Sequence, residues 1–298
     1  VGGSADLVRL SNADVELDVA AGYGPRIVRY ARRGGPSVLG TIAPAALEKA
    51  TPFGEPWRLY GGHRLWHAPE HATRTYWPDN APVGVRRVGD ATRFEQEVEG
   101  NTHLRKSIDV TLAEAGTDVT VVHRIANEGA FDVELALWAL TVMAPGGRAL
   151  VPHAPFVPFP ADLGPARRLV LWSYTRLDDP RFRFGARLLV VAQDATRAAP
   201  QKIGAHVEPG RAAYVLGRAL FLKRWAASGG PHSDLGCNLE IFVDGAMLEL
   251  ETLSPLVRIP PGAHAAHVER WSLHDVEDGL DDDGLADALE RACREAAP

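Results

Sequence analysis

The sequence predicts an all-β chain of sandwich or barrel type, closed by a short C-terminal helix. Three observations carry this. Glycine and proline are abundant, 29 and 22 of 298 residues, above the usual ~12% for the pair, so the chain turns often. Apolar and polar residues alternate with period two in many short runs, the pattern of strands with unlike faces. No repeated strand-then-helix pattern occurs, which disfavours a doubly wound α/β fold.

The elements follow in chain order. Val15-Glu16-Leu17-Asp18-Val19 alternates apolar with charged residues, and after the Gly-Tyr-Gly-Pro break at 22–25 a strand resumes at Arg26–Tyr30. Further strand runs read at 83–88, 93–99, 104–112, 117–125, 132–142, 168–174, 187–193, 212–216, 219–225, 238–243, 247–252 and 265–273. Many lie between Gly, Pro, Asn or Asp clusters at the ~8–12-residue spacing of a sandwich or barrel. Two segments read as helix: a short turn over 44–49, and 284–296, where Leu285, Leu289 and Ala292/Cys293 form one stripe. The acidic run 277–283 reads as a solvated loop whose last Asp caps that helix; it lacks the alternating ligands, central Gly and final Glu of an EF-hand. With no internal repeat, low-complexity tract or linker, one domain over 1–298 is expected, its core at about 7–275, with the acidic loop and helix at 276–298.

Composition bounds the function. The chain is 46% hydrophobic and carries a net charge of −6, which suits a globular protein and not a nucleic-acid binder needing a concentrated positive field. No apolar run reaches the ~18 residues of a membrane helix. The opening VGGSADLVRL has no basic stretch leading into an apolar one, so no signal peptide is expected. Cys237 and Cys293 are too few for a disulfide framework or zinc cluster and read as unpaired thiols. Together these point to the cytoplasm, with the periplasm the other option because the chain does not begin with Met. No cofactor fingerprint, Walker loop or nucleophile elbow is present, and no cofactor is expected.

The densest stretch for chemistry is Tyr60-Gly61-Gly62-His63-Arg64-Leu65-Trp66-His67-Ala68-Pro69-Glu70. In extended form His63, Leu65 and His67 share one face, and Arg64, Trp66 and Ala68 the other. An Arg beside an indole suits a sugar, the guanidinium meeting hydroxyls and the ring its C–H faces. The His63/His67 spacing does not make a zincin site, which needs a helix and a Glu directly after the first His. In Met247–Pro255, Glu249 and Glu251 share a strand face roughly 6.5–7 Å apart. Inside a partly closed cavity one would have a raised pKa suited to proton transfer; facing water they would be an ordinary polar face. Near the end, His267, Glu269, Trp271 and Leu273 share a face; the His–Glu pair could orient a ring, form a cross-strand ladder, or hold a metal with a neighbouring carboxylate. Lys223 and Glu240 are further polar residues within apolar strands.

In order along the chain, VELDVAAGYGPRIVRY…GGPSVLG, YGGHRLWHAPE, ALWALTVMAPGG, LVLWSY, DLGCNLE, LELETLSPLVRIPPG and HVERW resemble a bacterial branch of the galactose mutarotase-like (aldose 1-epimerase) superfamily, over about residues 7–275. The resemblance implies a β-supersandwich with sugar on the concave face of the larger sheet. It implies that Glu251, in Leu250-Glu251-Thr252 ahead of Ile259-Pro260-Pro261-Gly262, is the base, and that Arg64 holds ring or hydroxyl oxygens. Where the family places a mid-chain histidine acid, this chain has Trp138, and an indole cannot act as a general acid. The expected site therefore has Glu251 as base, His63 or His67 as acid, Trp66 with Trp138 as a stacking platform, and Arg64, Lys223, Glu240, Glu249 and His267 as substrate-binding groups. The expected ligand is a small carbohydrate, with neither nucleic acid nor membrane as partner. The alternative is a sugar-binding protein of the same fold that has lost the acid.

Overall fold

The structure, a computed structural model, describes residues 6–43, 46–227 and 229–296. Two antiparallel ten-stranded sheets dominate it. The first runs, edge to edge, through Leu7–Ser11, Val15–Ala20, Arg26–Arg32, His63–Ala68, Val133–Met143, Leu248–Leu253, Leu239–Val243, Gln201–Ala205 and Leu169–Leu171, with Val257–Ile259 paired to the start of Val133–Met143. The second runs through Phe182–Phe184, Leu188–Ala192, Arg148–Pro152, Arg211–Leu216, Ala219–Trp225, His264–Asp275, Val119–Asn127, Leu104–Leu112, Ala91–Glu95 and Gly84–Val88. A small ribbon, Glu48–Lys49 with Trp57–Arg58, stands apart.

Period two sorts the side chains of each strand into two environments. Leu17, Ile27, Leu65, Leu137 and Leu250 of the first sheet meet Ile108, Val121, Phe221 and Trp271 of the second in one continuous core. On the far face of the second sheet, Leu285, Leu289 and Ala292 of the C-terminal helix cover Leu150, Leu188 and Leu220. On the far face of the first sheet, Trp66, Trp138, Leu140 and Met247 gather beneath the ribbon's Trp57 and the adjoining Leu59. That third cluster builds the cleft described below.

The all-β reading with one C-terminal helix holds. The runs at 104–112 and 219–225 match their strands end to end, whereas the run at 168–174 shrinks to Leu169–Leu171. The strands Leu7–Ser11, Arg148–Pro152, Phe182–Phe184 and Gln201–Ala205 were not anticipated; each has five residues or fewer, too few for a period to stand out. The helical turn expected over 44–49 falls partly on residues 44–45, outside the described residues, and Glu48–Lys49 is strand. The helix spans Asp282–Glu295, and its cap is Asp281, not the last Asp of the run: the Asp281 carboxylate accepts from Gly284 N at 2.9 Å. Asp282 and Asp283 instead fill the first turn, where the helix dipole favours negative charge. Among the described residues no helix is long and apolar enough to cross a membrane.

Candidate functional site

The strand His63–Ala68 is launched by Gly61 and Gly62, both with positive φ, +77° and +67°. A Cβ at Gly61 would lie 2.6 Å from Gly40 O, and one at Gly62 would lie 2.4 Å from Ile27 O. Only glycine fits this close crossing of backbones. The strand that follows splits as period two requires: His63, Leu65 and His67 face the second sheet, and Arg64, Trp66 and Ala68 face outward.

Register then assembles the outer face in two neighbouring rows. Arg64 pairs with Leu140, Leu140 with Glu251, and Glu251 with Glu240. In the next row Val142 pairs with Glu249, Glu249 with Phe242, and Phe242 with Lys202. Each cation reaches diagonally to carboxylates of the other row. Arg64 Nη1 donates to Glu249 Oε1 at 2.8 Å, and Lys202 Nζ lies 2.6 Å from Glu240 Oε2 and 3.0 Å from Glu251 Oε2. Above these rows is a cleft of about 300 Å³, lined further by Leu47, Lys49, Trp57 and Leu59, with the more exposed Tyr76, Glu70 and Tyr174 at its mouth.

Glu251 is fully buried at the cleft floor. Its Oε2 accepts from Trp138 Nε1 at 2.8 Å and from Lys202 Nζ at 3.0 Å, while Oε1 has no partner. Burial, together with the nearby Glu240 and Glu249 carboxylates and against the pull of Lys202, pushes its pKa up to about 8. Burial raises Glu240 as well. Burial alone would lower Lys202, but the two carboxylates outweigh it and hold the ammonium well above its ordinary value. Two carboxylates on one ammonium keep a shared proton into the alkaline range, as like charges that cannot both ionise do. Glu240, Lys202 and Glu251 thus titrate as one coupled unit.

The structure brings Arg64, Trp66, Trp138, Glu249 and Glu251 of the expected site to the cleft, with Glu240 one strand beyond. It does not bring His63, His67, Lys223 or His267 there, and among the described residues no histidine lines the cleft. Those four lie between the sheets. His123 Nδ1 is 3.0 Å from the His267 carbonyl, an acceptor only, so it donates there, and its Nε2 accepts from His63 Nε2 at 2.6 Å. His63 Nδ1 then accepts from the Thr141 hydroxyl at 2.8 Å, and Thr141 accepts from Lys223 Nζ at 2.6 Å. Lys223 also lies 3.1 Å from Glu269, whose other oxygen accepts from Trp271 Nε1 at 2.8 Å. The Thr252 hydroxyl donates to Glu269 and accepts from His267 Nε2 at 2.8 Å.

His63 and His67 are therefore not placed to act as acid on a ligand in the cleft. Burial also holds both rings well below the ordinary histidine pKa. The His267–Glu269 metal reading meets the same cluster: His63, His123 and Glu269 converge, but their facing atoms already hydrogen-bond and Lys223 supplies the positive charge. The stacking platform changes too. Trp66 and Trp138 are only 6% and 3% exposed, Arg64 lies over Trp66 at 4.4 Å, and Lys202 lies over Trp138 at 4.6 Å. The open ring at the cleft is Tyr174, 41% exposed.

Lys202, Tyr174 and Trp57 escaped the sequence reading. For Lys202 the available signal was a lysine between Gln201 and Ile203 just after Pro200, a charged residue entering an apolar strand.

The sequence matches no protein-family profile, and no curated protein matches it. Solved structures do. The chain superposes on a candidate aldose 1-epimerase from Klebsiella pneumoniae with a TM-score of 0.59 at 11% identity, covering 99% of this chain and 85% of that one. A galactose mutarotase-like protein from Lactobacillus casei gives 0.58 at 12% identity, over 90% of this chain and 100% of the other. The Slr1438 protein from Synechocystis gives 0.58 at 11%, over 93% and 99%. The two-sheet architecture of this chain is the galactose mutarotase-like fold.

Proposed function

We propose that this is a carbohydrate-active protein that interconverts sugar anomers as an aldose 1-epimerase does, with Glu251 as its proton-transfer group. The observation that carries the proposal is the Glu251 carboxylate, held by Trp138 and Lys202 on one oxygen and free on the other at the floor of a monosaccharide-sized cleft. In its ionised form Glu251 takes the proton of the anomeric hydroxyl on Oε1 as the C1–O5 bond opens, so exchange should quicken as pH rises through about 8. The electron pair stays on O5, which takes a proton from solvent water entering the cleft in place of the missing histidine, since Lys202 holds its own proton well above the ordinary lysine range. Rotation about C1–C2 and reclosure return each proton to its donor. The ligand is a small carbohydrate, and the unpaired Cys237 and Cys293 are in keeping with a cytoplasmic setting.

The test is polarimetry or proton NMR on freshly dissolved α-sugars. Wild type should accelerate anomer exchange, and Glu251→Gln should slow it ~10²–10⁴-fold, the usual contribution of a positioned acid or base. Equal rates would remove Glu251 from the chemistry. Binding without acceleration would establish the second reading, a non-catalytic sugar-binding protein, which the lack of histidine among the described cleft-lining residues favours.

A further inference from the structure

We infer that the sugar taken by this cleft carries an apolar group where an ordinary aldose has a hydroxyl: it is a deoxy- or O-alkylated sugar. This rests on the carbohydrate reading above and adds the ligand's polarity to it. The cleft is lined by two unlike sets of residues. The polar set is Arg64, Glu249, Lys202 and Glu251; the apolar set is Leu47, Leu59, Leu140, Phe242 and Met247, which belong to or pack against a single apolar cluster, with Leu140 and Phe242 set between the charged residues of the floor.

The polar set partly satisfies itself. Arg64 gives one N–H to Glu249, and Lys202 is shared by Glu240 and Glu251. At the mouth, Tyr76 donates to Glu70 and the Lys49 ammonium sits 3.3 Å from the Tyr76 ring centroid. Among the described residues lining the cleft, the buried side-chain atoms left unpartnered are Glu251 Oε1, Arg64 Nε and Trp57 Nε1. One acceptor and two donors suit two or three hydroxyls, the anomeric one among them. A free aldohexose brings five hydroxyls, and those pressed against the leucines, Phe242 and Met247 would lose their water and gain no partner, which is unfavourable for each. A methyl or methoxy group on that side of the ring reverses the sign, because it leaves water for an apolar wall. The volume of about 300 Å³ sits at the lower end of the ~300–1,000 Å³ of ligand clefts, so the ligand is one substituted monosaccharide.

The experiment measures affinity by calorimetry or by the fluorescence of Trp57, Trp66 and Trp138, with glucose and galactose against their 6-deoxy, 2-O-methyl and 3-O-methyl forms. At least one derivative should bind about 4-fold tighter per buried methyl than its parent, and Met247→Gln, which alters the cleft wall, should bring the ratio of derivative to parent affinity back toward one, whatever it does to parent binding itself. Parents binding as tightly as every derivative, or a gain untouched in Met247→Gln, overturns the inference and leaves the carbohydrate reading standing. If neither parents nor derivatives bind, both fall.

Discussion

Two buried charged clusters lie back to back on the same strands. The strand His63–Ala68 sends His63 inward and Arg64 outward; Leu248–Leu253 sends Thr252 inward and Glu251 outward. Each cluster centres on a lysine–glutamate pair, Lys223 with Glu269 inside and Lys202 with Glu251 outside. In each, an indole N–H holds the carboxylate, from Trp271 at 2.8 Å inside and from Trp138 at 2.8 Å outside. They differ in completeness. Inside, both Glu269 oxygens are partnered; outside, Glu251 keeps a free oxygen beside a cleft. Burial and charge alone therefore do not mark a site. A missing partner next to open space does.

The largest effect expected from breaking this contrast is on stability inside. Lys223→Met should cost about 3–5 kcal/mol in urea unfolding, because Glu269 is left as a buried charge without its cation. Lys202→Met at the cleft should cost less, since Glu251 already keeps its proton up to about pH 8 and need not be left as a bare charge. Equal losses would mean that the cleft cluster is as structural as the interior one.

The dependence on pH separates the clusters by sign. Glu251 is raised from 4.5 to about 8 in the fold, chiefly by burial. Its contribution to stability is complete below 4.5 and is lost as pH rises through about 8. The interior histidines run the other way, because burial favours their neutral form. His267 falls to about 3 and His63 and His67 fall well below 6.5, so their contribution is complete above 6.5 and is lost as pH drops toward 3. In a series of melting temperatures against pH, Glu251→Gln should flatten the alkaline decline. His67→Leu, which removes a ring with two unpartnered nitrogens, should flatten the acid one. The comparison fails if both substitutions act on the same limb.

The smallest expected difference is between the two indoles. Trp271→Phe leaves an interior Glu269 oxygen bare and should cost ~1–3 kcal/mol beyond the change in packing. Trp138→Phe should cost about 1 kcal/mol or less and instead move the Glu251 titration upward, read by ¹³C NMR of the carboxyl. An unmoved titration would deny Trp138 its hold on Glu251.

These clusters also mark how far the sequence could be read. Period two correctly divided His63, Leu65 and His67 from Arg64, Trp66 and Ala68, and Leu248 and Leu250 from Glu249 and Glu251. Alternation says which residues share a face, but not which face meets another sheet. The two histidines were therefore expected in the cleft along with Arg64, although a single strand cannot offer both sets to one ligand. Lys202 was lost for another reason. Gln201–Ala205 has five residues and one outward charge, and its importance exists only in the register that sets it diagonal to Glu251. The fold, written among the described residues in ten longer strands, tolerated such omissions.

Gly61 and Gly62 have a consequence for any survey of tolerated substitutions. Neither lines the cleft, yet no side chain can enter without displacing the backbones of Gly40 or Ile27, and with them the strand that aims Arg64. A scan of every amino acid at every position should score these two as severely as Glu251. Their profile would differ in kind: protein yield would fall together with function, whereas Glu251→Gln would leave the yield of folded protein intact.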